Sequence, residues 1–78
     1  MDDAVVRQRI RRRIADGTLP RDGLGALSAT NGAGETCDAC AVLVSTRQTL
    51  DKLARVDPPV LQFHSECFWI WRVERNRV

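Results

Sequence analysis

The sequence predicts a small α+β domain, and three observations carry that expectation. Segments with the helical recurrence of apolar residues lie at both ends, over residues 3–16 and 65–76. Short apolar or β-branched segments lie between them, at 41–45 and 60–63. All three cysteines and the only histidine fall into two pairs of equal spacing, Cys37-x2-Cys40 and His64-x2-Cys67.

The paired residues are the most informative. Two residues between ligands let a tight knuckle, or one helical turn, aim both side chains at one point. Three thiols and one imidazole so arranged match a tetrahedral zinc site of the structural kind. An odd cysteine count argues against a disulfide framework, whereas one metal ion uses all four side chains without remainder. The metal also answers a shortage. A chain of 78 residues with two Phe, two Trp and no Tyr has few large core-formers, and a domain this small buries only about 60% of its unfolded surface. Such scaffolds usually need a staple. Zinc contributes on the order of 10–16 kcal/mol in finger peptides. One structural Zn2+ on Cys37, Cys40, His64 and Cys67 is therefore expected, with the metal-free chain partly or wholly unfolded around the site.

The whole chain reads as one domain in three stretches: a basic helix over 1–17, a flexible connector over 18–36 and a zinc-binding module over 37–78. In the first helix Val6, Ile10 and Ile14 recur every fourth position, Asp2 and Asp3 suit its N-terminal end, and Gly17 is a plausible C-cap. Between the apolar residues stand Arg7, Arg9, Arg11, Arg12 and Arg13. They are either the solvated face of a docked helix, their stems covering apolar surface, or a surface for phosphate or acidic groups. The connector is rich in Gly, Ser, Thr, Asn and Pro, with a turn expected at 19–23. Gly32-Ala33-Gly34 lacks the Gly-Lys-Ser/Thr ending of a phosphate loop and reads as backbone freedom entering the knuckle.

After the knuckle, residues 46–56 are ambiguous. Leu50, Leu53 and Val56 fall three apart, as on a helix, but a hairpin arm suits the site better, and a strand is the expectation. Asp57-Pro58-Pro59 breaks the chain, and residues 60–63 return as a strand that delivers His64. In the last helix Ser65 is the expected N-cap and Glu66 lies in the favourable first turn. Cys67, Ile70, Trp71 and Glu74 share one face, with Phe68 beside it. Trp69 points elsewhere, to pack beneath the arginine helix or to stand exposed as an anchor for a partner.

A knuckle, a hairpin and a helix whose first turn carries the last ligand is the layout of treble-clef zinc domains. The run Ile10-x-Arg12-x-Ile14-x2-Gly17-x-Leu19-Pro20, then Gly32-x-Gly34-x2-Cys37-x2-Cys40 and Phe63-His64-x2-Cys67-Phe68-x2-Trp71-x2-Glu74-Arg75, resembles a group of small, mostly uncharacterised proteobacterial Cys/His proteins. The resemblance implies zinc and a compact bacterial cytosolic protein, and it supplies no activity.

Charge and chemistry bound the function. The start of the chain is charged and has no apolar run, so neither a signal peptide nor a membrane span is read there, and reduced cysteines point to the cytoplasm. The net charge of +2 falls to about +1 when three thiol protons leave and a dication enters, so nucleic-acid binding would rest on local clustering. A zinc hydrolase or deaminase needs an open coordination position, and here a fourth ligand closes the site. A thioredoxin-like role needs a βαβ context and leaves His64 and Cys67 unused. An iron–sulfur site has no feature in its favour. The expected function is a non-enzymatic interaction module whose arginine helix, with Trp69, contacts nucleic acid or an acidic partner. The alternative is a protein–protein adaptor without nucleic-acid binding. A monomer is expected over a homodimer, because five arginines beside a paired seam would repel.

Overall fold

The computed structural model describes residues 3–22, 25–55 and 59–76. Helix α1 spans Asp3–Ala15 and buries Val6, Ile10 and Ile14, the stripe read from the sequence. Its end is set by Gly17, whose φ of 85° glycine adopts without the Cβ strain that other residues meet there. There the N–H groups of Gly17 and Leu19 donate to the carbonyls of Ile14 (3.3 Å) and Arg13 (3.0 Å). The roles read for Asp2, for Val56 and for most of the Asp57-Pro58-Pro59 break lie outside the described residues, as does part of the 19–23 turn.

The stretch 18–36, expected as a connector, carries two strands. β1 (Ala26–Asn31) pairs antiparallel with β4 (Thr49–Ala54), Ala26 opposite Ala54 and Asn31 opposite Thr49. All six β1 residues are exposed, so no apolar alternation marked the strand in the sequence. β2 (Glu35–Thr36) pairs with β3 (Leu43–Val44), and the turn between them is the cysteine knuckle. The expected strand at 41–45 is thus shorter, because Ala41 belongs to the turn.

β4 is the strand that residues 46–56 were read to contain. It pairs antiparallel with β5 (Val60–His64), Leu50 opposite His64 and Leu53 opposite Leu61. Leu50, Asp51 and Leu53 are all buried, which is why the spacing looked helical. The three-stranded sheet has the order β1-β4-β5.

Helix α2 (Ser65–Arg75) begins directly at the end of β5. His64, not Ser65, is its N-cap residue. The Ser65 hydroxyl donates instead to the buried Asp51 carboxylate at 3.2 Å, fastening the helix start to β4. α2 packs on α1 on one side and on β4 and β5 on the other. At that junction Phe63 and Trp71 stack at 5.3 Å and 18°, with Phe68 edge-on to Phe63 at 5.8 Å. The Trp71 indole N–H donates to the carbonyl of Pro20 at 3.1 Å, drawing the segment after α1 over the core.

Candidate metal centre

Three short elements deliver the four candidate ligands. Cys37 and Cys40 come from the β2–β3 knuckle, His64 from the end of β5, and Cys67 from the first turn of α2. The knuckle closes tightly: Ala41 N–H donates to the Cys37 carbonyl (2.9 Å) and Cys37 N–H to that of Val42 (3.0 Å). That closure forces Ala41 into the left-handed region at φ 64°.

A carboxylate locks the knuckle to the sheet. Asp38 N–H donates to the Gln62 carbonyl at 2.8 Å, and the Gln62 N–H returns to the Asp38 carboxylate at 2.7 Å. This pair holds the first two ligands against the strand that carries the third.

Cys37, Cys40, His64 and Cys67 are all buried, and their ligand atoms lie within 4.8 Å of one another. The His64 Nδ1 is 3.4 Å from the Cys40 sulfur and 3.9 Å from that of Cys67. A tetrahedral centre with Zn–S of about 2.3 Å and Zn–N of about 2.0–2.1 Å puts sulfur and nitrogen roughly 3.6 Å apart. The two distances bracket that value. On the far side of the ring, Nε2 lies 3.1 Å from the Leu43 carbonyl. An Nε2–H donated there leaves the Nδ1 lone pair facing the sulfurs, the second-shell arrangement that orients a metal-bound histidine.

The electrostatics point the same way. The Cys37 thiol is pulled down to about 4, first by a hydrogen bond from Cys67 and then by backbone N–H groups of Cys40, His64 and Ala39. Cys67 is pushed up by that same bond, by burial and by the neighbouring sulfurs. Burial pushes Cys40 up as well. Alone, the pocket tolerates one thiolate and resists the others. A dication in the middle reverses that penalty, since metal binding requires the thiols to ionise.

The basic residues divide. Arg7 and Arg11 are committed to Glu74, a fully buried carboxylate on α2, at 3.2 and 2.9 Å. Arg9 donates to the Cys40 carbonyl at 3.1 Å, tying α1 to the knuckle. Arg12 and Arg13 line an open groove beside the knuckle. The five arginines therefore do not form one surface. Trp69 does not pack beneath α1: it is 61% exposed, with the Arg72 guanidinium 5.0 Å from its ring centre.

Sequence reading placed Glu74 on the buried face without giving it a partner, and it missed Asp38. A carboxylate inside the Cys-x2-Cys knuckle, where it must sit beside thiolates, was the available signal.

Fold and site together define a small α+β domain of treble-clef layout, with a buried three-cysteine, one-histidine cluster compatible with a single metal ion. No family model, curated protein or solved structure matches the chain. No helix among the described residues is long and apolar enough to cross a membrane.

Proposed function

We propose that the chain is a non-enzymatic, zinc-stabilised interaction module whose basic helix contacts nucleic acid. The observation that carries the zinc assignment is the donor set itself. Four buried side chains from three elements supply a full tetrahedral shell, the composition of closed structural zinc sites, with no position left for water or substrate. Zinc on Cys37, Cys40, His64 and Cys67 joins the knuckle, β5 and α2, and so fixes the platform on which α1 is displayed.

The nucleic-acid reading rests on what α1 leaves outside. With Arg7 and Arg11 engaged by Glu74, the basic residues turned to the knuckle side are Arg9, Arg12 and Arg13. Guanidinium groups suit phosphate, and nothing in the arrangement implies reading of bases. The test is a fluorescence-anisotropy titration of the zinc-loaded protein with labelled single-stranded DNA and RNA across a range of salt. Affinity should fall steeply as salt rises, and charge reversal at Arg9 and Arg12 should abolish it. An affinity indifferent to salt contradicts the reading.

One observation favours a second reading, a protein–protein adaptor. Trp69 is 61% exposed, and Val73, one turn along α2, is 42% exposed. Exposed tryptophans are frequent anchors at protein interfaces. On this reading Trp69→Ala removes a partner, and nucleic acid is not bound at any salt concentration.

A further inference from the structure

We infer that the groove between the C-terminal half of α1 and the knuckle is a phosphate seat for a nucleic-acid backbone, with Arg12 and Arg13 as its cationic groups. The inference rests on the nucleic-acid reading above and localises it.

Together with the closed end of the helix, the groove's lining, its charge, the state of its cations and its walls carry the inference. Its volume is about 570 Å³, and it runs between Arg9, Arg12 and Arg13 on one side and Cys40 and Ala41 on the other. Its charge is only partly balanced: Asp38 lies within electrostatic reach of Arg13 and a zinc centre on three thiolates carries about −1 behind Cys40, but the three guanidinium groups that line the groove meet one lining carboxylate, Asp16. That carboxylate is also occupied: it accepts the Thr18 N–H at 2.9 Å, and the Thr18 bonds hold it below its ordinary range.

The cations are available in a way that the others on α1 are not. Among the described residues, the guanidinium groups of Arg12 and Arg13 make no hydrogen bond and meet the nearby Asp16 carboxylate only through electrostatic attraction, whereas Arg7 and Arg11 grip Glu74. The negative end of the helix is closed off as well. The carbonyls of Arg12, Arg13 and Ile14 already accept the N–H groups of Asp16, Leu19 and Gly17. Carbonyl oxygens that would repel an anion are thus turned to the chain's own donors.

The seat has fixed walls. Arg9 bonds the Cys40 carbonyl, so helix and knuckle keep their spacing whether or not a ligand is present. The helix and knuckle backbone are thus in place beforehand, so phosphate binding orders two side chains but no loop. The same bond makes the seat depend on the metal site, since Cys40 is both a ligand and the groove's far wall.

The test compares two double variants of equal charge change in the zinc-loaded protein, Arg12→Ala/Arg13→Ala and Arg21→Ala/Arg47→Ala. The probe is a short labelled single-stranded oligonucleotide, with circular dichroism to verify the fold. Removing the groove pair should weaken binding at least tenfold. It should also flatten the dependence of log affinity on log salt by about 1.4, two phosphates at roughly 0.7 each. The control pair, neither of which lines the groove, should change affinity less than threefold. Equal effects of the two double variants would overturn the seat while leaving a nucleic-acid-binding helix in place. Inorganic phosphate is the second probe, read by amide shifts of Thr18 and Ala41 in the wild type. Shifts at those residues without oligonucleotide binding would support a seat for free phosphate and sink the nucleic-acid reading. No shift and no oligonucleotide binding would overturn both.

Discussion

Replacing Trp71 by alanine should come close to unfolding this domain, while the same change at Trp69 should barely register. Trp71 has no exposed surface, stacks on Phe63 at 5.3 Å and touches Phe68 at 5.9 Å. A buried tryptophan removes about 150–250 Å² from water, which at roughly 25 cal/mol per Å² is about 4–6 kcal/mol. Truncations of buried aromatic residues cost about 3–5 kcal/mol, and the Pro20 carbonyl would lose its donor as well. Domains hold roughly 0.05–0.15 kcal/mol of stability per residue, so a chain of 78 residues has about 4–12 kcal/mol in all. Trp71→Ala therefore consumes about a quarter of the total or more. Trp69, exposed two positions earlier in the helix, should cost less than about 0.5 kcal/mol. Urea unfolding of the metal-loaded variants, followed by far-ultraviolet circular dichroism, compares the two. A Trp71→Ala variant within about 1 kcal/mol of wild type, or a Trp69→Ala variant that is the less stable of the two, would refute the packing described.

Asp38→Ala should cost about 1–3 kcal/mol, because the Gln62 N–H loses its acceptor, whereas Asp38→Asn keeps an oxygen there. Burial raises the Asp38 carboxyl above its ordinary 3.8, so its ionised form weighs against the fold and this one group's contribution becomes more favourable as pH falls through the raised value, a trend that the Asp38→Asn comparison separates from acid loss of metal, which both proteins share. Asp38→Asn should thus be at least as stable as wild type at neutral pH, with the gap narrowing in mild acid; denaturation at two pH values checks the sign. Gly32→Ala should destabilise by about 1–3 kcal/mol, because a Cβ there would lie 2.5 Å from the Val44 carbonyl oxygen and against that of Ser45. A thermal midpoint equal to wild type would contradict that close approach. Ala41→Gly should be neutral or stabilising by up to about 1 kcal/mol: the left-handed conformation at φ 64° costs a non-glycine residue roughly 1–2 kcal/mol, partly offset by the freer unfolded chain. A clear loss of stability would mean that Ala41 is not held in that conformation.

The parts legible in the sequence were those fixed by chemistry or by strong periodicity. Four ligand-type residues at matched spacing announced the cluster, and Val6, Ile10 and Ile14 marked the buried stripe of α1. The face of α2 that carries Ile70, Trp71 and Glu74 followed from 3.6-residue geometry. What escaped was set by partners distant in sequence. β1 is a strand because β4 offers it a backbone edge, and its exposed Ala, Ser, Thr and Asn residues carry no burial pattern. Ser65 looked like a cap, yet Asp51 claims its hydroxyl. Five arginines in one run looked equivalent, and only the buried Glu74 and the Cys40 carbonyl sort them into anchors and free cations.

Metal content of the purified protein, measured together with circular dichroism through a chelator titration, tests the central claim most directly. One zinc ion per chain, with helical and tertiary signal lost as the metal is withdrawn and restored on its return, is the expected result. A metal-free chain that keeps its fold unchanged in chelator would contradict a structural zinc centre at Cys37, Cys40, His64 and Cys67.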